Sequence, residues 1–455
     1  MRIHLKFEIL MVLIVAMFAC KQVEKPQVET AMEGINENVV EKVNYGTIYE
    51  VNVRQYTPEG TFEAFKSHIP RLKELGVNVL WMMPLQEIGV ENRKGDRGSY
   101  YSIRDYRSVN HEYGTVEDLK TLVDEIHKND MAVILDWVGN HTAWDHYWMK
   151  DRPDFYTHDE SGKVIPPVAD WTDVADLNYD VPDLRDSMLQ NMMYWVDSLG
   201  FDGFRCDVAG MVPVEFWQSV RAGLDKRGDY FLLAEAEEEK LHDNAFMASY
   251  GWHFHFIMNE VAQGKKGLDE IRKYLDDHVT ETNFNRMHFT SNHDENTWKG
   301  NAIDRMGKDY ENMAVLSFTI PGIPLIYSGQ ETGLHKDLMF FDKDTIEWKN
   351  DSPFFPFFKN LVSLRKNQKV LWTDNIPNSF SWLENENPDV LAFGRHLQSN
   401  DENDIMVYLN YGDEKIELGF PKNVDMSKWK SWDSEDVLAE KFSVDGNGYK
   451  IFIKR

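Results

Sequence analysis

Cysteine is nearly absent: Cys20 and Cys206 are the two in 455 residues. Two cysteines cannot build a disulfide framework, and no His/Cys set shows the spacing of zinc ligands. The fold must rest on its core, which a chain of this length can supply because larger domains bury proportionally more surface. Basic residues are also scarce, 49 Lys and Arg against 76 Asp and Glu, for a formal net charge of −27. That balance argues against nucleic acid or an anionic membrane surface as the main partner and suits a soluble domain acting on a neutral substrate. Internal repeats and low-complexity tracts are lacking as well. What is present is 42% hydrophobic residues with 13% aromatics, the composition of a globular protein with a large core.

The start of the chain has its own texture. Arg2 and Lys6 precede an apolar stretch over 9–18, too short to span a membrane comfortably. It ends Met17-Phe18-Ala19-Cys20, which resembles a bacterial lipoprotein signal cleaved before Cys20 and acylated on its sulfur. The expectation is a signal over 1–19, a tether over 20–44, and an exported protein lipid-anchored to a bacterial membrane, at its periplasmic or cell-surface face. An ordinary secretory signal is the alternative. Cys206, left without a partner, reads as a small buried hydrophobe.

From 45 onward strand and helix patterns alternate. Apolar runs predict strands at 47–53, 77–82, 131–135, 201–206, 230–234, 252–257, 287–291 and 323–327. Eight strands separated mostly by helices predict a (β/α)8 barrel over 45–370. Segment 138–180 breaks the alternation: it is long, rich in Trp, Tyr, Asp and Pro, and reads as a small excursion beside the barrel mouth. Past a helix at 355–365, strand-like runs at 390–393, 405–409 and 449–452 are separated by Asn, Asp and Gly turns. They predict an all-β C-terminal β-sandwich over 371–455.

Four acids close apolar runs: Asp136, Asp207, Glu235 and Asp294. A barrel gathers the C-terminal ends of its strands at one mouth, so acids far apart in sequence meet there. Grouping and partly burying carboxylates is costly unless chemistry uses them. Breaking a glycosidic bond uses such a group, one carboxyl as acid and another as nucleophile or base. Arg205, two residues before Asp207 on one strand, faces the same way, and its cation favours an ionised neighbour. Taken singly, each acid could be an ordinary salt-bridged strand end.

The resemblance then becomes specific. Asp136-Trp137-Val138-Gly139-Asn140-His141, Gly203-Phe204-Arg205-Cys206-Asp207, Glu235 and Asn292-His293-Asp294 resemble, in order and spacing, the four signature segments of the α-amylase family, glycoside hydrolase family 13. Asp176-Leu177-Asn178 resembles its fifth segment, and Gly98-Ser99-Tyr100-Tyr101 the loop after strand two. The resemblance implies a retaining hydrolase of α-1,4 linkages in starch- or maltodextrin-like α-glucans. Asp207 would be the nucleophile, Glu235 the acid and base, and Asp294 a grip on the distorted sugar. His141 and His293 would bind hydroxyls, Tyr101 would be the sugar's floor, Arg205 would line the site, and Asp136 would hold the mouth together.

The resemblance also implies a structural calcium at Asn140, Asp176 and a backbone carbonyl after strand four. The chain departs from the pattern there, reading Val208-Ala209-Gly210-Met211 where many amylases carry a Lys-His pair. No organic cofactor is expected. Trp144, Tyr147, Trp148, Tyr156 and Trp171 are either sugar platforms or core of the excursion. An α-glucosidase, cyclomaltodextrinase or transglycosylase of the same family, and a non-catalytic glucan-binding barrel, are the alternative readings.

Overall fold

Eight short apolar runs become eight parallel strands. They are β1 (Ile48–Val51), β2 (Val79–Met82), β3 (Ala132–Trp137), β4 (Gly203–Cys206), β5 (Phe231–Ala234), β6 (Ala248–Tyr250), β7 (Asn285–His288) and β8 (Ile323–Tyr327). Each pairs with the next, and β8 returns to β1, closing the barrel. The computed structural model describes residues 39–278, 284–375, 379–397, 404–422, 424–433 and 438–455. The expected signal, Cys20 and the tether up to 38 lie outside the described residues. Among the described residues no helix is long and apolar enough to cross a membrane.

The continuous apolar runs follow from burial on both faces, which a parallel sheet imposes. Ile48, Val79, Ile134, Leu233, Met287 and Leu325 fill the barrel interior, while Leu80, Val133, Phe204 and Leu232 belong to the layer packed against the helices. The helix Val116–Lys128 buries Leu119, Leu122, Val123 and Ile126 on one face, and Thr115 and Asp118 cap its start reciprocally.

Three sequence expectations need correction. The sixth strand is Ala248–Tyr250, and the run expected as strand at 252–257 is the helix Trp252–Ala262. Its buried Phe254, Ile257, Met258 and Val261 recur at helical spacing, which outweighs the local richness in aromatics. The seventh strand stops at His288, so Asp294 is not a strand-end acid: Asn292 caps the helix His293–Lys299, and Asp294 sits in its first turn. The stretch expected as tether ends in the helix Val39–Tyr45, whose Val39 and Val43 pack into the same cluster as the barrel interior. Their spacing of four residues places both on one helical face.

The 138–180 excursion is built around an antiparallel pair, His141–Ala143 with Val174–Asp176. Trp148, Phe155 and Tyr156 form its core. The C-terminal domain is a five-stranded antiparallel sheet covered by the pair Ile416–Gly419 and Lys441–Val444. Phe442 bridges the layers, its ring 4.8 Å from Tyr408 and 4.7 Å from Phe452. Arg395 ties this sheet to the barrel, donating to the carbonyl oxygens of Thr319 and Val370 at 2.8 Å each.

Candidate active site

Asp207 and Glu235 directly follow neighbouring strands. The ladder continues through both, with Asp207 N–H donating to Trp137 O at 2.9 Å and Glu235 N–H to Cys206 O at 3.0 Å. Neighbouring strands lie about 5 Å apart, which matches the carboxyl separation of about 5–5.5 Å that retaining glycosidases use. Arg205 holds the group together from below. Its Nη1 meets Asp136 Oδ1 at 2.8 Å and Asp207 Oδ1 at 3.0 Å, Nη2 pairs with Glu235 Oε1 at 2.9 Å, and Nε donates to the Tyr250 hydroxyl at 3.0 Å. The second Glu235 oxygen accepts the Val208 N–H at 2.8 Å. Val208 aims that N–H from φ +37°, a left-handed conformation that a β-branched residue rarely adopts.

Asp136 accepts the Trp81 indole N–H at 3.1 Å and the Tyr101 hydroxyl at 2.9 Å besides Arg205, so it braces three neighbours. Tyr101 in turn accepts from His293 Nε2 at 2.8 Å and stacks on that imidazole. His293 Nδ1 donates to Glu50, a fully buried acid on β1, and Nε2 faces Asp294 Oδ2 at 3.3 Å. Burial alone would lower the His293 pKa, but Asp294 and Glu50 on either side raise it well above the usual value, so it is an imidazolium. That charge holds Asp294 below the ordinary carboxylate range against the effect of burial. His141 is buried without such partners and falls to about 4, a neutral imidazole at pH 7.

A cleft of about 660 Å³ opens above these groups. Tyr101, His141, Asp207, Glu235, His293 and Asp294 all line it, together with Trp171, Trp298, Phe340, Phe341 and Lys94. Of the five aromatics singled out in the excursion, Trp171 reaches the cleft. Trp148 and Tyr156 are core, Trp144 donates to Thr172 O at 3.0 Å, and Tyr147 stacks on His146.

The family described as "Alpha amylase, catalytic domain" matches residues 31–164 and 168–346. The chain belongs to the α-amylase family. It is 27% identical to the α-amylase MalA of Haloarcula japonica over 83% of this chain and 57% of that protein. The structure of an α-amylase from Lactobacillus plantarum superposes with a TM-score of 0.78 at 26% identity, covering 91% of this chain and 99% of that one. A maltogenic α-amylase, AmyB, from Thermotoga neapolitana gives 0.77 at 28%, covering 91% and 97%. Other α-amylase family relatives carry the names cyclomaltodextrinase and 1,4-α-glucan branching enzyme. The chain spans less than two thirds of the curated relatives it matches first, 57% of MalA and 65% of the α-amylase 2 of Dictyoglomus thermophilum.

Two further features of this α-amylase-family site concern proton placement and calcium. As the acid Glu235 would hold the proton, and as the nucleophile Asp207 would stay charged. Burial raises both carboxyls, and the charge of Glu235 drives Asp207 further up. Arg205 opposes the rise at each, but the Val208 N–H favours the charged form of Glu235 alone. The second feature concerns calcium. Asp176 is a half-buried carboxyl raised by burial, and Asn140 leans on His141 Nδ1 at 3.4 Å. Nearby carbonyls are already used: Gly139 O accepts the Tyr179 hydroxyl at 2.6 Å and Ala209 O the Trp217 indole at 3.0 Å. Among the described residues no group of three or more acids, histidines or cysteines converges as metal ligands. One carboxylate and one carboxamide fall well short of the roughly six to eight oxygens that calcium takes. The residues present do not fit the ion.

Glu50, Lys94, Trp298, Phe340 and Phe341 escaped the sequence reading. Glu50 carried a signal, an acid inside the apolar run Ile48-Tyr49-Glu50-Val51. Trp298 lies on the short helix His293–Lys299; Lys94, Phe340 and Phe341 come from loops, where no periodicity marks a residue that will face a cleft.

Proposed function

We propose that this protein is an amylase-type glycosidase that hydrolyses α-1,4-glucosidic bonds of starch- or maltodextrin-like glucans with retention of configuration. The observation that carries the reading is the clamping of two strand-end carboxyls, Asp207 and Glu235, by the two ends of one guanidinium. A glucose unit seated on the Tyr101 ring presents its anomeric carbon to Asp207 and its glycosidic oxygen to Glu235. Glu235 gives its proton to the departing oxygen as Asp207 forms the bond to the anomeric carbon. Glu235, now a carboxylate, takes a proton from water, whose oxygen displaces Asp207 and frees the sugar. The reaction needs the proton on Glu235, and contact of an ionised Asp207 with the electrophilic carbon favours that placement. Asp294 and the His293 imidazolium hold hydroxyls of the distorted ring, most strongly as positive charge develops.

The relatives' names leave the product open among α-amylase, cyclomaltodextrinase and transglycosylase chemistry, because these share the carboxyls and differ in loops. The proposal includes export and acylation at Cys20, resting on the sequence alone. Asp207→Asn and Glu235→Gln should each lose nearly all turnover on maltoheptaose while melting as wild type does. Proton NMR should show the α anomer first. Initial β anomer, or near-normal turnover in either variant, refutes these roles.

A further inference from the structure

Two walls of the cleft run away from the acids and meet. On one side Tyr101 stacks on Phe340 with rings 6.1 Å apart, Phe340 packs edge-on against Phe341 at 5.0 Å, and the Lys94 ammonium lies 5.9 Å from the Phe341 ring. On the other side His141 meets Trp171 at 5.6 Å. The carbonyl of the preceding Asp170 accepts from Lys94 Nζ at 2.8 Å, and the Asp173 carboxylate pairs with the same ammonium at 3.0 Å. Both walls end on Lys94.

The segment that carries Lys94 is fastened to both rims. Asp96 N–H donates to Asp342 Oδ1 at 2.8 Å and Arg97 N–H to Phe341 O at 2.9 Å, while Val90 N–H donates to Asp145 Oδ2 at 3.0 Å across the excursion. Gly95, at φ +63°, lets the backbone press against the far rim, since a Cβ there would lie 2.5 Å from Phe341 Cβ. Contacts run from Glu235 through Arg205 and Asp136 to Tyr101, and from Tyr101 through Phe340 and Phe341 to Lys94. A sugar seated on Tyr101 turns its scissile bond toward Glu235, so its non-reducing end faces the strap.

Resting on the hydrolase reading above, we propose that the Lys94 strap makes the cleft blind on the non-reducing side, so that the enzyme acts on chain ends. A glucan enters with its non-reducing terminus leading, stops against Lys94, and loses a short terminal piece. A continuous chain cannot lie through the cleft unless the Lys94–Asp173 pair opens. Specificity here is exclusion, a wall built against internal segments rather than added affinity for ends.

The test compares two p-nitrophenyl maltoheptaosides, one with a free non-reducing glucose and one capped there by a 4,6-O-ethylidene group. All products are separated by chromatography at early conversion. The free substrate should be cut from its non-reducing end, and the capped one at least roughly 100-fold more slowly. Equal rates would overturn the proposal and leave the hydrolase intact. Cleavage of neither would sink the hydrolase reading itself. Lys94→Ala should raise cleavage of the capped substrate relative to the free one by roughly tenfold or more. No gain in that variant would withdraw the role given to Lys94.

Discussion

Arg205→Met probes the charge balance of the site most directly. Arg205 is fully buried and contacts Asp136 at 2.8 Å, Asp207 at 3.0 Å and Glu235 at 2.9 Å. Methionine fills a similar volume but leaves three buried carboxyls facing one another without their cation. All three already sit above the ordinary carboxylate range because they are buried, and Arg205 pulls each back down. Without it they escape by keeping protons. A folded-state pKa above the unfolded one means the native state binds the extra proton. The associated stability is full below the unfolded value, near 4, and is lost as pH rises through the raised folded value. Each proton so retained costs about 1.4 kcal/mol per pH unit, or about 2.7 kcal/mol between pH 5 and pH 7. With an unfolding entropy of roughly 2.1 cal/mol/K per residue, about 0.85 kcal/mol/K for some 400 residues, each proton lowers Tm by about 3 °C over that interval. Tryptophan fluorescence melts of both proteins from pH 5 to 8 measure the difference. The gap between wild type and variant should widen with pH by about 3–6 °C. A gap that stays constant would refute the reasoning, because the carboxyls would then be ionised with or without the guanidinium.

Val39→Asp should lower Tm by several degrees, since it buries an unpaired carboxylate under the barrel and costs about 3 kcal/mol or more. Turnover at 25 °C should survive, as the acids lie at the opposite end, and an unchanged melt would mean the helix Val39–Tyr45 adds nothing to the core. Chelation by EGTA should leave both the melt and turnover unchanged, given the poor donor set at Asn140 and Asp176; a clear drop in Tm would show a bound calcium. In a bacterial host, labelled palmitate should enter the full chain and not its Cys20→Ala variant, and equal labelling would end the lipoprotein reading.

The barrel was legible because its signal is local and repeated. Apolar runs such as Ala132-Val133-Ile134-Leu135 can be buried on both faces only in a parallel sheet, and acids ending those runs must gather at one mouth. The same reasoning failed at 252–257, where aromatic content suggested strand while the spacing of Phe254, Ile257, Met258 and Val261 belonged to a helix. It failed again at Asp294, whose approach to the site depends on the Asn292 cap and not on the strand before it.

Sequence alone determined the order of elements, the family, and the acids available for chemistry, because hydrophobic period and short motifs are properties of neighbouring residues. Tertiary structure decided which charges surround those acids, what stands behind them, and which residues line the cleft. Glu50 reaches His293 across 243 positions, Asp136 reaches Arg205 across 69, and Lys94 joins Asp173 to a loop that follows the last barrel strand. Such contacts leave no periodic trace along the chain; they exist once folding has removed water from around the charges and set their distances.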